Sequence, residues 1–204
     1  MQPNFSIENK YKNKICFGID EAGRGPLAGP VVAASIFLEG QNIEGINDSK
    51  KISKTKRHKI FADLIANCKY GVGIVDADVI DEINILEATK IAMLNSVLDL
   101  QKKYDVFAQV VLIDGNFIPF EKRDKIEEME AIVKGDQKSI SIAAASIIAK
   151  VTRDNLMLKY DAKYPQYGFK NHQGYPTKFH IEKVKEFGVL GIHRKSFAPI
   201  KKML

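Results

Sequence analysis

Residues 15–38 read ICFGIDEAGRGPLAGPVVAASIFL, and this stretch decides the fold. Ile15 to Ile19 is a short apolar run that ends at two carboxylates, Asp20 and Glu21. Val31 to Leu38 is a second apolar run carrying several β-branched residues. Between them, Gly23, Gly25, Pro26, Gly29 and Pro30 break any regular period. Strand, glycine-rich turn and strand predict an antiparallel hairpin whose first strand ends in acid.

Outward from the hairpin, residues 47–59 (NDSKKISKTKRHK) are polar and basic and lead into helical spacing over Ile60 to Cys68. Tyr70 to Val75 reads as a third strand. Asn84 to Lys103 reads as a long helix, with apolar residues at Ile85, Ala88, Ile91, Ala92, Val97 and Leu98. Val110 to Ile113 is unbroken apolar sequence, a fourth strand buried on both faces. Ala131 to Val133 is a fifth. Ser139 to about Tyr160 is a helix with a run of small residues (Ala143 to Ala149) that can pack closely. Past Pro165 the chain turns irregular, then Lys178 to Phe187 is helical. The order implies an α/β fold: a mixed sheet flanked by helices.

The chain has 204 residues, 45% hydrophobic and 27% charged, so one domain can bury a core without metal or disulfide staples. The longest mostly apolar run, Ile140 to Ala149, is too short for a membrane span, and the leader MQPNFSIENKYKNK lacks the apolar segment of a secretory signal. Cys16 and Cys68 have no partner at disulfide or metal spacing, so a reducing compartment, the cytoplasm, is expected. The 31 Lys and Arg exceed the 25 Asp and Glu, a net charge of +6 that suits a phosphate-rich partner.

Four acids stand out. Asp20 and Glu21 close the first strand, Asp114 closes the fourth, and Asp136 follows the fifth. Singly, each reads as a strand-end turn residue or a helix cap. Asp76 has the same look, but Asp78, Asp81 and Glu82 beside it make it a helix entry. If the strands are neighbours, the four carboxylates share one pocket and repel, and a cation relieves that repulsion. An all-oxygen set selects Mg²⁺ or Mn²⁺, and a basic protein with such a pocket points to two-metal phosphodiester chemistry. Directly after the first pair, Gly23-Arg24-Gly25 lets backbone approach a ligand and adds a bidentate phosphate donor.

Gly18-Ile19-Asp20-Glu21-Ala22-Gly23-Arg24-Gly25-Pro26, continuing to Ala34, resembles the opening signature of the ribonuclease HII family. Further blocks agree in order: Asn47 to Lys51, Ile83 to Thr89, Ile113 to Asn116, Lys134 to Asp136 with Ser141 to Asp154, and Tyr167 to His180. The tail His193-Arg194-Lys195-Ser196-Phe197 with Pro199 is similar to the bacterial branch. The resemblance implies a ribonuclease H-like mixed five-stranded sheet with a small C-terminal helical region. The chain then divides into a flexible polar leader (1–13), a catalytic domain (14–163) and a substrate-binding region (164–204). The short leader is unlike the extra N-terminal domain of the ribonuclease HIII branch.

The resemblance also implies the site. Asp20, Glu21, Asp114 and Asp136 hold two ions of Mg²⁺ or Mn²⁺, with Asp20 and Asp114 the more central. Gly23, Arg24 and Gly25 recognise the 2′-OH at an RNA–DNA junction, and Tyr175 packs on the sugar beyond it. The substrates are RNA/DNA hybrid and duplex DNA with embedded ribonucleotides, cut on the 5′ side; separately, nothing in the sequence suggests an obligate dimer, so a monomer is expected. Gln173 stands where relatives often carry Lys, so one phosphate contact is expected to be lost.

Lys50, with Lys51, Lys54, Lys56, Arg57 and Lys59, is expected to meet the phosphate backbone, and Arg194, Lys195, Lys201 and Lys202 to add to it. His172, His180 and His193 read as structural or phosphate-facing. Two other readings stay open: a resolvase-like two-metal nuclease of the same fold, and a module that binds hybrid without cutting it.

Overall fold

In the computed structural model, which describes every residue except 1, 42, 48, 50, 51, 123 and 124, the hairpin forms as the sequence implies. β1 (Cys16–Ala22) and β2 (Val31–Phe37) pair antiparallel, with Asp20 opposite Ala34. β3 (Lys69–Val75) adds antiparallel to β2. β4 (Val110–Asp114) lies parallel to β1, and β5 (Glu128–Ile132) lies parallel to β4. The sheet order is β3-β2-β1-β4-β5, so the acid-bearing strands β1 and β4 are central neighbours.

Helices cover both faces. α2 (Ala77–Tyr104) packs on one, over Phe17, Ile19, Ala33, Val111 and Ile113. α1 (Lys54–Asn67) and α3 (Ile140–Lys163) pack on the other, over Ala34 and Ile36. Glycines set the closeness: a Cβ on Gly73 would fall 2.0 Å from the Ala92 carbonyl oxygen of α2, and one on Gly18 would fall 2.3 Å from the Ser141 backbone of α3. Side chains alternate along β1, so Phe17 and Ile19 meet α2 while Gly18 and Asp20 face α3. α4 (Phe169–His172) and α5 (Lys178–Phe187) join the far half of α3 through a third cluster that includes Leu27, Met157, Tyr167, Phe169 and Val184.

Three boundaries differ from the sequence reading. α2 begins at Ala77, with Asp76 at its N-cap position, and breaks at Asn84 (φ 70). The Asn84 Oδ1 accepts from the Leu86 and Glu87 amides, so the expected start at Asn84 is where the second segment begins. β5 starts at Glu128, earlier than expected, because this edge strand is half polar: Tyr11 Oη donates to Glu128 and Glu130. The leader, expected to be flexible, is tied down. Its 3-10 turn Glu8–Tyr11 puts Glu8 Oε1 within 2.6 Å of Ser139 Oγ, 2.7 Å of Ser141 Oγ and 3.0 Å of the Ser141 amide. Glu8 thereby caps the start of α3 beside Ser139, the N-cap.

Cys16 and Cys68 are free thiols; burial pushes Cys16 up to about 12 and Cys68 up to about 11, leaving both protonated. Among the described residues no helix is long and apolar enough to cross a membrane.

Candidate active site

Parallel pairing of Ile19 with Ile113 sets Asp20 and Asp114 side by side at the carboxyl ends of β1 and β4, where open α/β sheets place their sites. Asp20 is 5% exposed. Burial raises its carboxyl well above the usual range, and the charges of Glu21 and Asp114 raise it further. Hydrogen bonds from the Ser146 hydroxyl and the Glu21 amide (2.7 Å) oppose this. Burial raises Glu21 as well; Arg24 Nη1, 3.4 Å away, offsets part of it, and Asp114 adds to it.

Asp114 Oδ1 accepts the Gly135 amide at 2.6 Å, which ties β4 to the 3-10 turn Gly135–Gln137. That turn carries Asp136, 6% exposed, into the start of α3. The four acids are thus neighbours and not a closed cage: among the described residues, no three carboxylate, imidazole or thiol groups converge on one point. The donor set still fits a hard cation. It is all oxygen, its innermost member is desolvated, and Glu21 and Asp114 raise the proton affinity of Asp20.

A cavity of about 420 Å³ opens beside Asp20 and Glu21 and is also lined by Gly23, Arg24, Gly25 and Tyr175. It unites two of the four acids with the whole glycine-arginine-glycine element and the tyrosine; Asp114 and Asp136 are not among its lining residues. A Cβ on Gly25 would lie 3.5 Å from the Tyr175 ring. Lys50 lies outside the described residues. Ala22, Ser49, Ser146, Lys150 and Arg153 complete the wall; they stand in the blocks quoted from the sequence but carry no site role expected there. Three of them carry a signal: 146, 150 and 153 recur at helical spacing on one face of α3, whose stretch from Ile142 to Ala149 is otherwise buried and apolar. Ser146 meets Ser49 Oγ at 2.9 Å, and Arg57, expected to reach phosphate, donates to the Ser49 carbonyl.

Two buried arginines shape the loop. Arg194, expected to face phosphate, is 0% exposed. It donates to the carbonyls of Gly23 (2.6 Å), Arg24 (2.8 Å) and Gly29 (2.9 and 3.1 Å). Arg153, 1% exposed, donates to the carbonyls of Pro30 (3.0 Å), Ala28 (3.1 Å) and Gln173 (3.1 Å), joining the loop to the Tyr175 turn. With carbonyls as partners, burial lowers Arg153 to about 10 and Arg194 to about 9. Both stay charged. The Gln173 side-chain amide donates to the Lys170 carbonyl at 2.9 Å. His172, His180 and His193 are buried and structural.

A five-stranded mixed sheet between helices, with acids at the ends of its central parallel strands, defines a ribonuclease H-like α/β protein. Comparison with known proteins narrows this. The family model described as Ribonuclease HII matches residues 17–200, and the chain belongs to that family of ribonucleases. It is similar to ribonuclease HII of Francisella tularensis subsp. novicida, 50% identical over 192 residues, 93% of this chain and 100% of the relative. Among solved structures it is similar to the ribonuclease H2 from Pyrococcus horikoshii (31% identity, TM-score 0.70, covering 92% of this chain and 96% of the other). It shares its fold with Bst-RNase HIII solved in complex with Mn²⁺ (18% identity, TM-score 0.75, covering 95% and 70%).

Proposed function

We propose that this chain is an endonuclease that hydrolyses the RNA strand of RNA/DNA hybrids and cuts on the 5′ side of a ribonucleotide embedded in duplex DNA, leaving 3′-OH and 5′-phosphate ends. The observation that carries the reading is one cavity holding Asp20, Glu21, the Gly23-Arg24-Gly25 loop and Tyr175.

Asp20, Glu21, Asp114 and Asp136 are the residues that would hold Mg²⁺ or Mn²⁺. Such an ion supplies an activated water and neutralises charge building on the scissile phosphate. The protein's own groups select the substrate. A peptide's N–H points opposite to its C=O, so pinning the Gly23 and Arg24 carbonyls on Arg194 aims the Arg24 and Gly25 amides away from that side chain. We assign the 2′-OH contact to these amides. A site that hydrogen-bonds a hydroxyl rejects its absence by roughly 10⁴-fold. Tyr175 supplies the apolar platform for the next sugar. The exposed Lys54, Lys56 and Lys59 of α1 supply sequence-independent phosphate contacts. We take the enzyme to act as a monomer in the cytoplasm.

The test is an end-labelled DNA duplex with one ribonucleotide beside an all-DNA twin, in Mg²⁺ or Mn²⁺. Cutting only the first, 5′ of the ribonucleotide, is expected. Cutting both would favour a resolvase-like nuclease, and binding without cutting would favour a hybrid-binding module.

A further inference from the structure

The turn that carries Tyr175 is gripped by imidazoles to which the reading above gives no role. His180 Nε2 lies 3.1 Å from His193 Nε2. Backbone groups at the two ends fix where the protons sit. The Leu190 amide, which can only donate, points at His193 Nδ1 from 2.9 Å, so the His193 proton is on Nε2. That proton is given to His180 Nε2, which leaves the His180 proton on Nδ1. There it faces the Tyr175 carbonyl, 3.0 Å away, which can only accept.

The relay runs from the Leu190 amide through both rings to Tyr175, with one tautomer allowed at each ring. A second proton would set two donors face to face, either between the rings or at Leu190. His172 is fixed in the same manner. It stacks on His180 at 4.4 Å, accepts the Gly174 amide at Nδ1 (3.2 Å) and donates from Nε2 to the Tyr167 carbonyl (2.9 Å).

The far end of the relay is joined to the recognition hairpin. His193 bridges Ala28, and the amide of Gly29 donates to Ile192 at 2.8 Å. The relay therefore links the Tyr175 carbonyl to the chain segment that continues from Gly23-Arg24-Gly25.

We propose that the neutral His180–His193 pair holds Tyr175 in register with the Gly23-Arg24-Gly25 loop, so that the sugar platform and the hydroxyl reader keep a fixed separation. This rests on the reading of Tyr175 as that platform. His180 and His193 are positioning residues: His180 meets the Tyr175 carbonyl and His193 acts on it through His180. Burial, then the repulsion among the three imidazoles, favours the neutral pair, holding His180 and His193 down at about 4.

Nitrogen-15 NMR of the imidazoles in the full-length wild-type protein at pH 7 tests the wiring. Nδ1–H on His180 and Nε2–H on His193 are expected; the reverse tautomers, or a charged ring, overturn the proposal. Kinetics on the single-ribonucleotide duplex test the purpose. His193→Phe and His180→Phe are expected to raise KM roughly tenfold, within the range lost with a stacking contact, while kcat holds within about twofold. In a Tyr175→Ala background, His193→Phe should add nothing further. A folded His193→Phe protein with unchanged KM overturns the proposal. An unchanged KM for Tyr175→Ala alone overturns the platform reading and the proposal with it, even with the tautomers as expected.

Discussion

Replacing Arg194 by lysine keeps a positive charge and removes a shape. The guanidinium makes four hydrogen bonds to three carbonyls, those of Gly23 and Gly29, which are buried, and of Arg24, which is partly so. A single ammonium nitrogen cannot span that fork, so it reaches one carbonyl, or two with strain, and orphans the rest. Each buried acceptor left without a donor costs about 1–3 kcal/mol. With one or two orphaned, R194K should lose about 2–4 kcal/mol. For a domain near this size each kcal/mol moves Tm by about 2–4 °C, so calorimetry should find Tm lower by about 5–15 °C. At temperatures where the variant stays folded, the loop is no longer pinned, and kcat/KM on the single-ribonucleotide duplex should fall more than non-selective duplex binding does. An R194K protein with wild-type Tm and wild-type kcat/KM would refute the view that these carbonyls set the shape of the loop.

Four other outcomes follow from the same geometry. Asp20→Asn should abolish cleavage yet raise Tm in EDTA at neutral pH, because burial and two neighbouring acids make an ionised Asp20 oppose folding; thermal scans with and without Mg²⁺ check this. Gly23→Ala should lower kcat/KM by about 100-fold in steady-state assays, since φ is +97° and the new Cβ would fall 2.1 Å from Arg153 Nε. Glu8→Ala should destabilise the fold by about 1–3 kcal/mol in urea titrations, because it strips three hydrogen bonds from the start of α3. Depressed values near 4 at His180 and His193 mean that their contribution is full above the ordinary value of 6.5 and is lost as pH falls toward 4. The urea midpoint should therefore drop across that window in the wild type and stay flatter in a His180→Phe/His193→Phe double variant.

Much of the fold is legible in the sequence. The hairpin and β4 announce themselves because both faces of their strands are buried, and a continuous apolar run so short fits little else than a buried strand. Asn84 is legible as a helix start because its side chain caps the segment that follows. β5 is hard to bound because an edge strand keeps Glu128 and Glu130 on a polar face that dilutes the apolar signal. The leader misleads because polarity hides what a single carboxylate can do at the start of a helix. Asp20 and Asp114 can be paired from sequence only by assuming strand neighbours, and the register supplies the fact. Arg194 is illegible in principle: a charged residue reads as surface until the carbonyls that need it are located, and they lie up to 171 residues away.

That distance has a consequence for how the protein is made. A ribosome finishes the loop, Asp20, Glu21, Asp114 and Asp136 long before it adds the guanidinium that braces the loop. Every growing chain therefore passes through a stage with all four acids present and the recognition loop still unbraced. The brace on which the proposed 2′-OH reading depends arrives late in translation, and a chain interrupted before residue 194 lacks it.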